Sequence, residues 1–204
     1  MSGSDVKAVF ITADTNAADN ASISANERPN TDFTIGGTDA SGGVATFAAG
    51  RIVTATTAGT GDSGKTVTIT GTDVNGDAQT ETITLPGSAT TTSGTKFFKT
   101  VTAASASTQP AANVSLGHAA GAADVIFAGR SRLQGLNIVC SAADGTLDFR
   151  DSSPTGTSIF KVGTVASATT TRDITIPDEG LLFPSGIYIQ YTVATFTTLT
   201  AFHA

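Results

Sequence analysis

The chain has 204 residues, of which 39% are hydrophobic and 14% charged, with a formal net charge of −6 and a pI near 4.6. Its 11 Lys and Arg are scattered, with no basic run and no interleaved aromatics, so the electrostatic footprint of a nucleic-acid binder is absent. No segment approaches the roughly 18 consecutive apolar residues of a membrane-spanning helix, and no Sec-type signal opens the sequence.

Charge is scarce against the roughly 25% of an ordinary soluble domain, whereas threonine is abundant, at 37 residues. Threonine is β-branched, which suits pleated, half-exposed strands better than helices. A surface rich in hydroxyls and poor in charge loses little hydration when a neighbour covers it. This composition favours a subunit of an assembly over a freely diffusing catalyst, and small adhesins and carbohydrate-binding modules share it.

In chain order, residues 1–43 read as irregular. Their only apolar patch before residue 30 is Val9-Phe10-Ile11, and glycines recur at 36, 37, 42 and 43. So polar a stretch buries too little apolar area to order alone. It is expected to be an extended arm that orders on a partner, or else a string of short strands laid on the first domain; the assembly reading uses the arm.

Residues 44–117 are expected to form a first β domain of about five strands. Its clearest element is a hairpin. Thr66-Val67-Thr68-Ile69-Thr70 and Thr80-Glu81-Thr82-Ile83-Thr84-Leu85 both alternate with period two, around Asn75-Gly76. Val67, Ile69, Ile83 and Leu85 should face the core and the threonine rows should face out. Arg51–Thr54, Lys96–Val101 and Val114–Leu116 read as further strands, and residues 103–106 have the alanine for one helical turn before Pro110.

Residues 118–124, rich in Ala and Gly, read as a linker. Residues 125–204 read as a second β-sandwich, with strands near 125–127, 133–140, 146–149, 158–162, 172–176, 186–191 and 193–202. Asp144-Gly145, Pro154, Pro177 and Pro184-Ser185-Gly186 punctuate them, a spacing typical of sandwiches and barrels. The expected fold is therefore all-β: two small sandwich or barrel-like domains behind an irregular N-terminal arm.

Chemistry-bearing residues are few. His118 and His203 are the only histidines, one in the expected linker and one beside the last residue, so both read as solvated bystanders. No nucleophile elbow, paired-histidine zinc motif or phosphate loop occurs. Asp148 and Asp151 flank a strand end without the aromatic context of a glycosidase. Cys140, the only cysteine, lies in an apolar run and reads as a buried, inert thiol. Asp178-Glu179 sits in a Pro/Gly turn and should stay solvated.

The one metal candidate is Asp73, Asn75 and Asp77, whose alternating oxygens match the start of a calcium loop. That loop needs Gly at its sixth position and Glu at its twelfth, where this chain has Ala78 and Thr84. The competing reading gives Asp73 and Asn75 the simpler task of bonding the backbone of a hairpin turn. No cofactor is expected, and no enzymatic activity.

Residues 68–83, followed by 95–101, resemble a module of tailed-phage virion proteins. Residues 176–189 resemble the last strands of small phage structural proteins. The likeness covers roughly 65–105 and 172–204 and brings no catalytic residues. It implies a virion component, assembled in the host cytoplasm, with other virion proteins as partners and the major capsid protein foremost. The leading expectation is a capsid cement or decoration protein, acting as a homo-oligomer with a trimer favoured, through its arm and sheet surfaces. A tail, neck or fibre component is the alternative. From another class, a carbohydrate-binding adhesion module would need Tyr188 and Tyr191 as its aromatic platform.

Overall fold

The computed structural model describes residues 5–165 and 169–204, and every regular element among them is a β-strand. The strands are β1 (Lys7–Thr12), β2 (Asp19–Glu27), β3 (Ala40–Ser41), β4 (Val44–Thr57), β5 (Thr66–Thr72), β6 (Ala78–Thr84), β7 (Thr91–Ala106) and β8 (Val114–Phe127). There follow β9 (Ser131–Cys140), β10 (Gly145–Asp151), β11 (Ser158–Thr164), β12 (Thr171–Thr175), β13 (Leu181–Phe183), β14 (Ile187–Thr192) and β15 (Phe196–His203). Hydrogen bonding groups them into a five-stranded and a ten-stranded sheet, as an all-β, sandwich-like fold requires. The chain divides into two compact units, Ala17–Gly121, and Met1–Asn16 with Ala122–Ala204.

In the unit Ala17–Gly121 the strand order is β8-β4-β7-β5-β6, with β2 on β8 and β3 on β4. The expected hairpin is β5–β6: Val67 pairs with Ile83, Thr68 with Thr82 and Thr70 with Thr80. Val67, Ile69, Ile83 and Leu85 are all buried, and each contributes about 1.5–3 kcal/mol relative to exposure. Threonine hydroxyls meet across strands at Thr68–Thr82 (3.3 Å), Thr72–Thr100 (2.8 Å) and Thr56–Thr91 (2.7 Å). Each such pair supports the register by roughly 0.2–1 kcal/mol. Residues 103–106 make no helical turn. Ala103, Ala104 and Ala106 extend β7 opposite Thr70, Ile69 and Val67, with Ala104 buried and Ala103 exposed as strand alternation requires.

Two expectations about organisation are corrected. Residues 5–43 are not a free arm; the other reading, short strands laid on the first domain, holds for β2 and β3, while β1 belongs to the other unit. β1 pairs with β15, β2 pairs with β8, and Ile23, Phe33 and Ile35 enter the core of the unit Ala17–Gly121. The amide of Phe33 donates to the carbonyl of Ala104 (2.9 Å), and those of Gly36 and Gly37 to Ile23 (both 3.0 Å). Few apolar residues suffice, because the rest of the unit supplies the surface that they cover.

Residues 118–124 are no linker either; they lie inside β8, which runs from one unit into the other. Close packing explains only part of their smallness: Ala122 and Ala123 are buried, and at the neighbouring Gly117 a Cβ would sit 1.9 Å from the carbonyl oxygen of Asp19 on β2. At Gly121 a Cβ would meet nothing within 4 Å, so its smallness has no packing explanation.

In the other unit the order is β1-β15-β9-β12 with β13 on β9, and β11-β10-β14-β8. Leu133, Leu136, Ile138, Cys140, Leu199 and Ala201 are buried on the first set, and Leu147, Phe149, Ile187 and Ile189 on the second. Tyr191 of β14 meets Phe196 of β15 edge-on, with ring centroids 4.8 Å apart, so the two sets face each other as a sandwich. Cys140 is a buried free thiol, as expected. Within residues 125–204, β13 is the strand that the sequence reading lacked.

Candidate functional site

The metal candidate resolves into turn chemistry. Asp73 Oδ1 accepts from the amides of Asn75 (2.8 Å) and Asp77 (3.0 Å), while the Gly76 amide donates to the Asp73 carbonyl (3.1 Å). The Asp73 amide in turn donates to the Asp77 carbonyl (2.9 Å). The carboxylate therefore staples the β5–β6 loop through backbone bonds. Among the described residues no group of three or more His, Cys, Asp or Glu is arranged to hold a metal ion.

Neither histidine is a solvated bystander. His118 is buried on β8, its Nδ1 3.0 Å from the Ala119 carbonyl and its Nε2 at ion-pair distance, 3.2 Å, from Asp39 Oδ2. Phe47 meets its ring edge-on at 5.4 Å. His203 is buried at the end of β15, under the ring of Phe127 at 5.0 Å, with Nδ1 3.1 Å from Ser131 Oγ. Burial and the charge of Lys7 hold its imidazole below the ordinary value of 6.5.

The carboxylates are committed to structure. Asp148 accepts from Ser158 Oγ (2.5 Å) and pairs with Arg150 (2.7 Å) and Lys161 (3.4 Å). Asp151 turns to the amides of Ser185 (2.8 Å) and Gly186 (3.2 Å). Glu179 is exposed, as expected, and pairs with Arg132 at 3.3 Å.

Two buried groups in the unit Ala17–Gly121 escaped sequence reasoning. Arg51 is fully buried, and its Nη1 donates to the carbonyls of Ala119 (3.3 Å) and Ala120 (3.2 Å). Asp62 is also fully buried, and accepts from the amides of Ala111 (2.5 Å) and Ala112 (3.1 Å) and from Lys65 Nζ (3.1 Å). Burial alone would raise its carboxyl, but the Ala111 amide, Lys65 and the Ala112 amide outweigh it and hold it below the ordinary 3.8.

Tyr188 and Tyr191 offer no platform for a sugar, because both are buried. The Tyr191 hydroxyl accepts from the Asp14 amide (3.3 Å) and donates to Asp124 (3.5 Å). The exposed aromatics are Phe10 (66% exposed), Phe127 and Phe202 (38%).

Register places Phe10 and Phe202 on one face of the five-stranded sheet. One rung across it reads Phe10, Thr200, Asn137, Asp173; the next reads Ala8, Phe202, Gly135, Thr175. Direct cross-strand partners project to the same side, so two aromatic rings, two threonines and an amide–carboxylate pair share this surface. Asn137 Nδ2 donates to Asp173 Oδ1 at 2.5 Å. A shallow pocket of about 230 Å³ lies between Phe202, Gln134, Gly135, Asp173 and Thr175.

A wider asymmetry frames this face. The six exposed large apolar side chains among the described residues are Val6, Phe10, Phe127, Ile159, Val165 and Phe202, and all belong to the unit Met1–Asn16 with Ala122–Ala204. No protein-family model matches the chain, and no curated protein matches its sequence.

Proposed function

We propose that the protein is a non-catalytic structural subunit that docks through the outer face of its five-stranded sheet. The observation that carries this reading is the concentration of exposed apolar side chains in one unit, with Phe10 and Phe202 adjacent on a threonine-lined sheet. Large apolar groups left in water together mark a contact surface, and the low charge of that face keeps its desolvation inexpensive.

The sequence resemblance is what supports a tailed-phage particle as the assembly, with the chain as a capsid cement or decoration protein against the major capsid protein, as a trimer. A tail, neck or fibre position is the alternative. Sheet surfaces now carry the contact, since residues 5–43 belong to the folded units. Copy number in a purified particle tests the reading. Cement is expected at hundreds of copies and a ring or fibre component at about six to eighteen. Absence of the chain from purified particles would overturn both.

A second reading is favoured by one specific feature, the pocket beside Phe202. An exposed ring flanked by Gln134, Asp173 and Thr175 is the grammar of a weak sugar site: an apolar face to stack on and polar groups beside it. A glycan array is the test. Millimolar or tighter binding that Phe202→Ala abolishes would support this reading over docking.

A further inference from the structure

We propose that a second pocket in the same unit, between β1, the β8–β9 turn and the end of β15, binds a small anionic group, a carboxylate or a phosphate, attached to an apolar moiety. The cavity, of about 250 Å³, is bordered by Asp5, Lys7, Phe127, Arg130, Ser131, His203 and Ala204. It is separate from the outer sheet face, and its fate does not depend on the docking reading.

The construction follows from the backbone. Lys7 and His203 are direct cross-strand partners, so their side chains share one side of the β1–β15 pair. Gly129, at φ +137°, turns the chain from β8 into β9; a Cβ there would lie 3.2 Å from the Phe127 ring. Glycine thus lets Phe127 fold over His203 and sets Arg130 at the rim. Ser131 Oγ lies 3.1 Å both from His203 Nδ1 and from the Ala204 carbonyl, which fixes the polar floor.

Charge supplies the rest. Among the described residues three cationic side chains, Lys7, Arg130 and Arg172, have no hydrogen-bond or ion-pair partner, and two of the three border this pocket. Counting Asp5 against them, the side chains that border the pocket carry a net charge of +1 in a chain of net charge −6, beside a buried hydroxyl and imidazole. A small anion would sit between the two cations, and its apolar portion would lie on the half-exposed ring of Phe127. Asp5, the one carboxylate side chain at the rim, limits how much negative charge the site takes.

His203 supplies the reporter. Burial and Lys7 depress its titration now; a bound anion offsets Lys7 and raises the midpoint. The experiment follows the His203 side chain by NMR across pH with inorganic phosphate, acetate, benzoate, or chloride at matched ionic strength. The expected result is a saturable rise with phosphate or the carboxylates and none with chloride, and benzoate should bind about tenfold tighter than acetate if Phe127 contributes. Phosphate alone, or the carboxylates alone, identifies which anion the site takes. Lys7→Met and Arg130→Gln, both at exposed positions, should each weaken the response about tenfold while the amide spectrum stays folded. A midpoint that moves equally with chloride, or a response intact in the Lys7→Met/Arg130→Gln double variant, overturns the site.

Discussion

The two units treat apolar surface in opposite ways. In Ala17–Gly121 the strands β5 and β7 bury Val67, Ile69, Phe98 and Val101 completely, and none of the exposed large apolar side chains lies there. The unit built from Met1–Asn16 and Ala122–Ala204 leaves all six at least partly in water. The first also buries more unusual polar groups, Arg51 and Asp62, each held by backbone partners. The difference teaches that one unit closes its apolar surface on itself while the other leaves part of it exposed.

The largest expected effects sharpen that contrast in the closed unit. Phe98→Ala should cost about 3–5 kcal/mol, because the ring is fully buried and the surrounding strands cannot collapse into the space. Chemical denaturation checks it. Asp62→Ala should cost about 3 kcal/mol, since it strips the Ala111 and Ala112 amides and Lys65 of their common acceptor. A loss below about 0.5 kcal/mol would mean that water replaces the carboxylate readily.

Acid should separate the units. His203 is depressed in the folded state, so the unfolded chain takes up its proton first, and stability of that unit falls as pH drops below 6.5. Asp62 is depressed too, but as an acid. Its contribution is complete above 3.8 and is lost only as pH falls from there through its folded value. Hydrogen exchange against pH should therefore show the unit with His203 loosening first, and His203→Gln should remove that early phase.

Legibility in the sequence followed the range of the interactions. The β5–β6 hairpin was readable because its evidence is local: period-two alternation of Val67, Ile69, Ile83 and Leu85 around Asn75-Gly76. The roles of Asp62 and His118 were not, because Ala111 and Asp39, which satisfy them, lie far away along the chain. The polar start looked like a loose arm for the same reason; Phe33 gains its place only once Ala104 is beside it. Likewise Phe10 and Phe202 sit at opposite ends of the sequence, and only the β1–β15 register makes them neighbours. Composition led to the expectation of docking, and pairing shows which exposed rings share a sheet face.

A smaller effect is expected at the turn. Asp73→Ala should cost about 1 kcal/mol through the loss of two side-chain to backbone bonds, and added calcium should leave the melting temperature of the natural chain unchanged. A calcium-dependent rise would restore the metal reading of Asp73, Asn75 and Asp77.

A stability change of only about 1 kcal/mol should accompany the most telling substitution, Phe10→Ser with Phe202→Ser, because Phe10 is 66% exposed and Phe202, at 38%, is partly so. Sedimentation velocity of the two chains is the direct comparison. The natural chain should self-associate, with a trimer as the leading species, and the double variant should sediment as a folded monomer. A natural chain that stays monomeric at every concentration, or a double variant that associates as well as its parent, would contradict docking through this face.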